Sequence, residues 1–281
     1  QCRHSSLIFY RAVRDRRPPW ALEELRTMGV FHWERGPHAS RTAYTPSEAL
    51  LYAIVHDHRA YARHLLKLGP PSALAPPGPA FGASHLATAV RYDRVELLLL
   101  LLRVARHCCD SFRLSDYVNA AEVTPTWGPG AGRTPLHLAC QLAKPECTRI
   151  LLAHGARADV ADMQGEFPLD ALLEPLEGPL GSSKREGNGG PVPPGCRACQ
   201  RARCLELLLL FSPPGGRGPP SSGSARALLE RAPERWCALL GTETWMRALG
   251  RSPPSLRACA LRELLRGGER ARGAMLDSLP I

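Results

Sequence analysis

Cys196-x2-Cys199-x4-Cys204 comes closer to a metal-binding motif than anything else in the chain. Zinc takes four ligands, usually from two paired arms. No second arm of matching spacing follows, and His154 or His85 would have to be recruited from elsewhere in the fold. At helical spacing the three thiols read more simply as small core residues. His56-Asp57-His58 falls where a turn between helices is expected, and on a helix residues two apart point to nearly opposite sides, so the two imidazoles would not share an ion. The glycine-rich run at 128–133 lacks both the second spacing of G-x-G-x-x-G and the Gly-Lys-Ser/Thr of a phosphate loop. It reads as a loop entering a helix at Thr134, whose N-terminus would hold an anion only weakly. The expectation is a non-catalytic protein with no metal and no cofactor.

The elements that carry these residues are helical in pattern. The 281 residues are 44% hydrophobic and 22% charged, enough apolar material for a folded core. The longest leucine string, Leu97 to Leu102, fits one buried helix and is far short of the roughly 18 residues of a membrane span. Ten cysteines sit mostly inside helical patterns, which suits reduced thiols and places the protein in the cytosol, with the nucleus also open to it. The sequence opens on Gln1 with no basic region followed by an apolar one, so a fragment without a secretion signal is expected. A net charge of +10 comes almost wholly from arginine, the lysines being Lys67, Lys144 and Lys184. The arginines are scattered and not interleaved with stacking aromatics, which argues for compositional bias over nucleic-acid binding.

Residues 132 to 156 form two short helices and a turn, too small to bury their own apolar side. Thr134 can cap and Pro135 suits the first helical position, where its missing N–H would be unpaired. Leu136, Leu138, Ala139 and Cys140 follow, then a break at Lys144-Pro145. Ile150, Leu151 and Leu152 carry the second helix, which stops at Gly155, a residue type that tolerates the left-handed conformation. Phe167-Pro168-Leu169 returns 33 residues after Thr134-Pro135-Leu136. A period of 33 with Thr-Pro-Leu-His and a closing His-Gly-Ala resembles the ankyrin repeat. In that family the imidazole at the place of His137 links neighbouring turns, so a structural role is implied for it.

Weaker copies lie upstream. Leu50, Ala53, Leu65, Leu66 and Gly69 take the places of Leu136, Ala139, Leu151, Leu152 and Gly155, as do Leu86, Ala89, Leu101 and Leu102 in the next copy. The spacing of 36 from Ala53 to Ala89 and of 50 from Ala89 to Ala139 leaves an insert of about 17 residues between Val104 and Gly132. A fourth copy starts at Pro168, detours through a Gly/Pro/Ser-rich stretch, and resumes near Cys196. Such composition cannot order itself, so both inserts are expected to be mobile loops. The implied fold is all-α: an N-terminal helical cap (1–43, with Leu7, Phe9, Tyr10, Val13 and Trp20), then an ankyrin-repeat solenoid (44–211) with inserts at about 104–132 and 174–194. A linker (212–224), a helical extension (225–252) and a last segment (253–281) complete it.

That last segment resembles a SOCS box, the short helical module that docks elongin B and elongin C. Leu256 stands at the motif's anchoring Leu and Leu264, eight residues on, at its apolar anchor. The motif's usual Cys falls at Ala260, with Cys259 one position early. The closing Leu279-Pro280 resembles the start of the segment that selects a cullin scaffold. Ankyrin repeats with such a box resemble the ankyrin-repeat and SOCS-box substrate receptors of cullin-RING ubiquitin ligases. The resemblance implies that Leu256, Ala260 and Leu264 face elongin while the repeats hold a target protein. Solenoids bind through turn tips and first helices, here residues 41–48, 79–85, 127–133 and 163–166. The alternative is an ankyrin scaffold or inhibitor that binds a protein without recruiting a ligase. Three lysines also leave a receptor few acceptors for ubiquitin, although Arg-rich composition accounts for the same count.

Overall fold

A computed structural model describes residues 7–27, 44–77, 84–108, 113–122, 131–173, 197–211, 223–231, 233–252, 256 and 259–260, and every regular element among them is helical. The chain divides into two units, Gln1–Pro135 and Leu136–Ile281.

The first unit holds α1 (Leu7–Arg14), α2 (Pro19–Thr27), α3 (Pro46–Val55), α4 (Arg59–Leu68), α5 (Pro70–Leu74), α6 (His85–Arg91), α7 (Val95–His107) and α8 (Leu114–Val118). Helix α1 packs on α2 and α3, α3 on α4, α5 and α6, and α7 on α6 and α8. Phe9, Leu22, Leu50, Ile54, Tyr61, Leu65, Leu86, Leu98 and Leu102 fill the interior. Helix α3 begins with a reciprocal cap. Glu48 N donates to Thr45 Oγ1 at 3.2 Å, Thr45 N donates to the Glu48 carboxylate at 3.0 Å, and Pro46 follows the cap. Two orphan donors of the first turn are thereby satisfied. Thr45→Ala should therefore cost about 1 kcal/mol, read as a lower urea midpoint with an unchanged slope.

The same turn closes four helix pairs. Arg16, Asp57, Asp93 and Ala143 adopt φ of 54°, 52°, 57° and 53°. After each, the next backbone N–H reaches back five residues: Arg17 to Ala12 O (3.1 Å), His58 to Ala53 O (2.8 Å), Arg94 to Ala89 O (2.8 Å) and Lys144 to Ala139 O (2.9 Å). This is a Schellman motif, which satisfies carbonyls left over at the helix end. Ala53, Ala89 and Ala139 are the alanines whose spacing marks the repeats. Ala12 lies in the expected cap, so α1 and α2 are built on the same helix–turn–helix plan as the repeats.

The second unit begins inside α9 (Pro135–Gln141) and continues with α10 (Pro145–Ala153), α11 (Pro168–Leu173), α12 (Arg197–Phe211), α13 (Gly223–Arg231), α14 (Pro233–Leu240) and α15 (Thr242–Ala248). Helix α12 packs on α10, α11, α14 and α15. Leu208 of α12, Leu229 of α13 and Trp236 of α14 are buried, and Trp245 Nε1 donates to Leu229 O at 3.0 Å.

Several expectations change. The insert expected from Val104 does not begin there, because α7 runs to His107. Helix α8 lies inside that insert with Val118 buried, and Arg91 pairs with Glu122 at its far side. Val118 supplies apolar burial within the insert. Helix α5 was not foreseen; Gly69 and Pro70 end α4 and start a further turn that buries Ala73 and Leu74. The extension is three short helices, with Pro233 opening α14. Trp20, counted with the cap's apolar residues, is 70% exposed. The second insert (174–194) and most of the linker (212–222) lie outside the described residues.

Candidate protein-binding surface

Between α10 and α11 the chain makes a short finger. Asp162 N donates to Glu166 O at 2.8 Å and Gly165 N to Asp162 O at 3.1 Å. The Asp162 carboxylate, 7% exposed, accepts Gln164 N at 2.8 Å and Glu166 N at 3.0 Å. An Asp side chain bonded to the backbone two residues on mimics a turn. Gly165 supplies the φ of +79° that this turn requires and that a side chain would strain. From below, His137 Nε2 donates to Glu166 O at 3.0 Å. The base is therefore tied to α9, while Met163 (66% exposed) and Gln164 project into solvent. A rigid turn presenting a flexible thioether and an amide offers an apolar contact and two-way hydrogen bonding to a protein surface.

The other expected contact segments are placed differently. Residues 41–43, 79–83 and 127–130 lie outside the described residues. Ser47 and Glu48 are buried, the carboxylate being used in the cap of α3. Arg133 is 6% exposed, so it is not displayed at a loop tip. His85 is fully enclosed. Its Nε2 donates to Ser47 O at 3.0 Å, and burial holds the imidazole down to about 4. Among the described residues of the expected segments, Thr45 and the 163–165 stretch are exposed, while Ser47, Glu48, His85 and Arg133 are buried.

Two ties between turns were missed by sequence reasoning. His58 Nδ1 accepts Tyr61 N at 3.2 Å, which leaves Nε2–H to donate to Arg17 O at 2.8 Å. Arg94 donates to Val55 O at 3.0 Å. Both residues immediately follow the left-handed position of a turn, and that placement was the available signal.

The cysteines do not assemble a metal site among the described residues, where no cluster of three His, Cys, Asp or Glu side chains is placed to hold an ion. Cys204 is fully buried on α12, its Sγ 3.6 Å from Thr148 Oγ1 of α10. Burial pushes the Cys204 thiol up to about 11 and raises Cys140 as well, so both remain protonated at neutral pH. Cys199 is half-buried on α12, and Cys196 lies outside the described residues.

At the C-terminal end, Leu256 has helical backbone and is 90% exposed. Ala260 is also helical and exposed, with Cys259 half-buried beside it. Leu264 lies outside the described residues. No helix among the described residues is long and apolar enough to cross a membrane.

Residues 131–164, which include Thr134, Pro135, Leu136, His137 and Gly155, match the ankyrin-repeat family model. Ankyrin repeat domain-containing protein 9 of Mus musculus is 39% identical over 297 residues, covering 100% of this chain and 88% of that protein. Ankyrin repeat and SOCS box protein 16 of Mus musculus is 46% identical over 44 residues, 16% of this chain and 10% of that protein. Regulatory protein NPR5 of Arabidopsis thaliana is 42% identical over 55 residues, 20% of this chain and 11% of that protein. The short matches concern a fraction of each protein, whereas the first runs through both units, the turn finger and the segment around Leu256. On that full-length likeness, the chain belongs to the ankyrin-repeat family of ankyrin repeat domain-containing protein 9.

Proposed function

We propose that the protein is the substrate-recognition subunit of a cullin-RING ubiquitin ligase. Its ankyrin repeats bind a target protein, and the C-terminal segment carrying Leu256, Ala260 and Leu264 binds elongin B and elongin C. The observation that carries this reading is Leu256. Its side chain is 90% exposed on helical backbone, whereas Leu249, a few residues earlier, is 2% exposed. A leucine that closed the repeat array would lie against it, so the exposure of Leu256 supports a partner-facing place for it. The short likeness to a protein named for its SOCS box supports the same reading.

The subunit performs no bond chemistry of its own. It converts the encounter between target lysines and a ubiquitin-charged enzyme into a near-intramolecular step by raising their effective concentration. Work of this kind belongs in the cytosol, and the buried thiols of Cys140 and Cys204 suit its reducing conditions.

The test is co-purification of the full-length protein with elongin B and elongin C, comparing wild type with a Leu256→Asp, Leu264→Asp variant. A stoichiometric complex with wild type and none with a variant of unchanged melting temperature is expected. No complex with wild type would defeat the reading and leave an ankyrin scaffold that binds a protein without a ligase.

A further inference from the structure

The helices that follow the four left-handed turns, α2, α4, α7 and α10, can be aligned on one bond. Pro18 O accepts Leu22 N at 3.2 Å, His58 O accepts Ala62 N at 3.0 Å, Arg94 O accepts Leu98 N at 2.8 Å and Lys144 O accepts Thr148 N at 2.9 Å. In that register Leu22, Ala62, Leu98 and Thr148 are all buried, and the residue two places earlier in each helix, Trp20, Ala60, Glu96 or Glu146, is exposed. The later helices fill this water-facing position with a small side chain or with an acid suited to a helix N-terminus. Helix α2 fills it with an indole, 70% exposed. A position that faces water in every pair is not a core position, so Trp20 is not there to close the first pair.

The backbone beside the indole is held in one shape. Arg16 takes φ of 54°, Arg17 N donates to Ala12 O at 3.1 Å, and His58 Nε2 donates to Arg17 O at 2.8 Å. Pro18 and Pro19, each with φ fixed by its ring, lead into α2. Arg11, Arg14, Arg16 and Arg17 are exposed along this edge. Arg14 pairs with Asp15 at 2.9 Å, whereas among the described residues Arg11, Arg16 and Arg17 make no ion pair. Glu23 is committed to Arg26 and to the Tyr61 hydroxyl. Glu24, one turn along α2 from Trp20, is exposed and of opposite charge, so the basic flank of the indole is the side of the turn.

We propose that Trp20, Arg16 and Arg17 form a docking site for an acidic segment of a partner protein, with one apolar side chain of the segment on the indole and its carboxylates on the two guanidinium groups. Charge complementarity selects this occupant: the turn offers unpaired cations on a fixed backbone, and guanidinium meets a carboxylate through two parallel hydrogen bonds. The indole adds a large, stiff contact with an N–H donor at its edge, and tryptophan and arginine are the side chains on which interface energy concentrates. Because the turn is already ordered, little freedom is lost on binding. A lipid surface fits less well, since Trp20 is the one large apolar side chain exposed on this pair among the described residues and Glu24 beside it would repel anionic headgroups. The site belongs to the first unit, the finger at 162–166 to the second, and neither depends on recruitment of a ligase.

The test is selection of binders from a displayed library of random peptides on the full-length protein, with counter-selection on Trp20→Ala, which installs the residue that α4 carries at the same place and keeps the helix plan. Recovered sequences are expected to set Asp or Glu beside a Leu, Phe or Met. Synthetic copies should bind wild type at least about tenfold more tightly than Trp20→Ala, the loss expected of an interface tryptophan. An Arg16→Asn, Arg17→Gln variant, in which Asn tolerates the left-handed backbone, should lose binding similarly and flatten its dependence on salt. Peptides that bind wild type and Trp20→Ala alike, peptides without carboxylates, or a selection that yields no binder would each overturn the proposal. Sedimentation with phosphatidylserine vesicles that is lost in Trp20→Ala would overturn it too, by giving the surface to a membrane.

Discussion

Phe9→Ala should lower the unfolding free energy by about 3–5 kcal/mol, the range for truncating a buried phenylalanine. Phe9 is 1% exposed on α1. Its ring stacks on Tyr44 at 4.8 Å and meets the edges of Tyr52 at 5.9 Å and Tyr61 at 6.4 Å. One side chain therefore joins the first helix pair to α3 and α4, and aromatic pairs of this kind add to the area they bury. Tyr61 is itself committed elsewhere, since its hydroxyl donates to Glu23 at 2.8 Å and Glu23 pairs with Arg26. It is not free to collapse into the gap. Because repeat units are stabilised mainly by their neighbours, the loss should also detach α1 and α2 before the rest of the chain unfolds. Urea unfolding followed by circular dichroism, with hydrogen exchange of α1, reads both effects. A midpoint within error of wild type would show that the aromatic cluster does not hold the first pair in place.

Acidification from pH 7 to pH 4 should remove roughly 3 kcal/mol of stability through His85 alone, from a displacement of about two and a half pKa units. The folded imidazole titrates at about 4 because it is fully buried, against 6.5 when exposed. A histidine whose pKa falls on folding contributes its full stability above the unfolded value, and that contribution is lost as pH drops from 6.5 through 4. His56, also lowered by burial and by Arg14 and Arg94, adds in the same direction. Glu122, raised by burial, works the other way, favouring the folded state below its unfolded value. Gln at position 85 can still donate to Ser47 O without a titrating group. Urea midpoints of wild type and His85→Gln at pH 7 and pH 5 should therefore converge toward the acid. Parallel losses in the two proteins would exclude His85 as the source.

The repeat plan was legible wherever its residues obey the steric rule that names them. Gly155, at φ +96°, is the stop that Gly predicts. The inner turns break that rule, with Asp57, Asp93 and Ala143 in left-handed geometry that costs a side chain up to about 1–2 kcal/mol. Only the spacing of the alanines four residues earlier gave them away. The first helix pair hid for the same reason, since Arg16 announces no turn. Helices α5 and α8 span five residues each, too few for an apolar period to show. The reciprocal cap of α3 was written plainly as Thr45-Pro46-Ser47-Glu48, a signature of hydroxyl and carboxylate three apart, and it is this cap that withdraws Glu48 from the surface. Burial of His85 and Arg133 could not be read, because it depends on which helix pairs meet. Leu256 was singled out by a resemblance of the last segment and by its spacing of eight from Leu264, and its exposure is what the structure adds.

The finger at 162–166 separates two kinds of constraint along one stretch of chain. Its shape is enforced by Asp162, Gly165 and the imidazole of His137, none of which needs to touch a partner. The residues at its tip, Met163 and Gln164, are exposed, and among the described residues their side chains make no hydrogen bond. If the finger is the contact surface proposed above, substitutions at these two positions would change what is recognised and leave the frame that holds them intact.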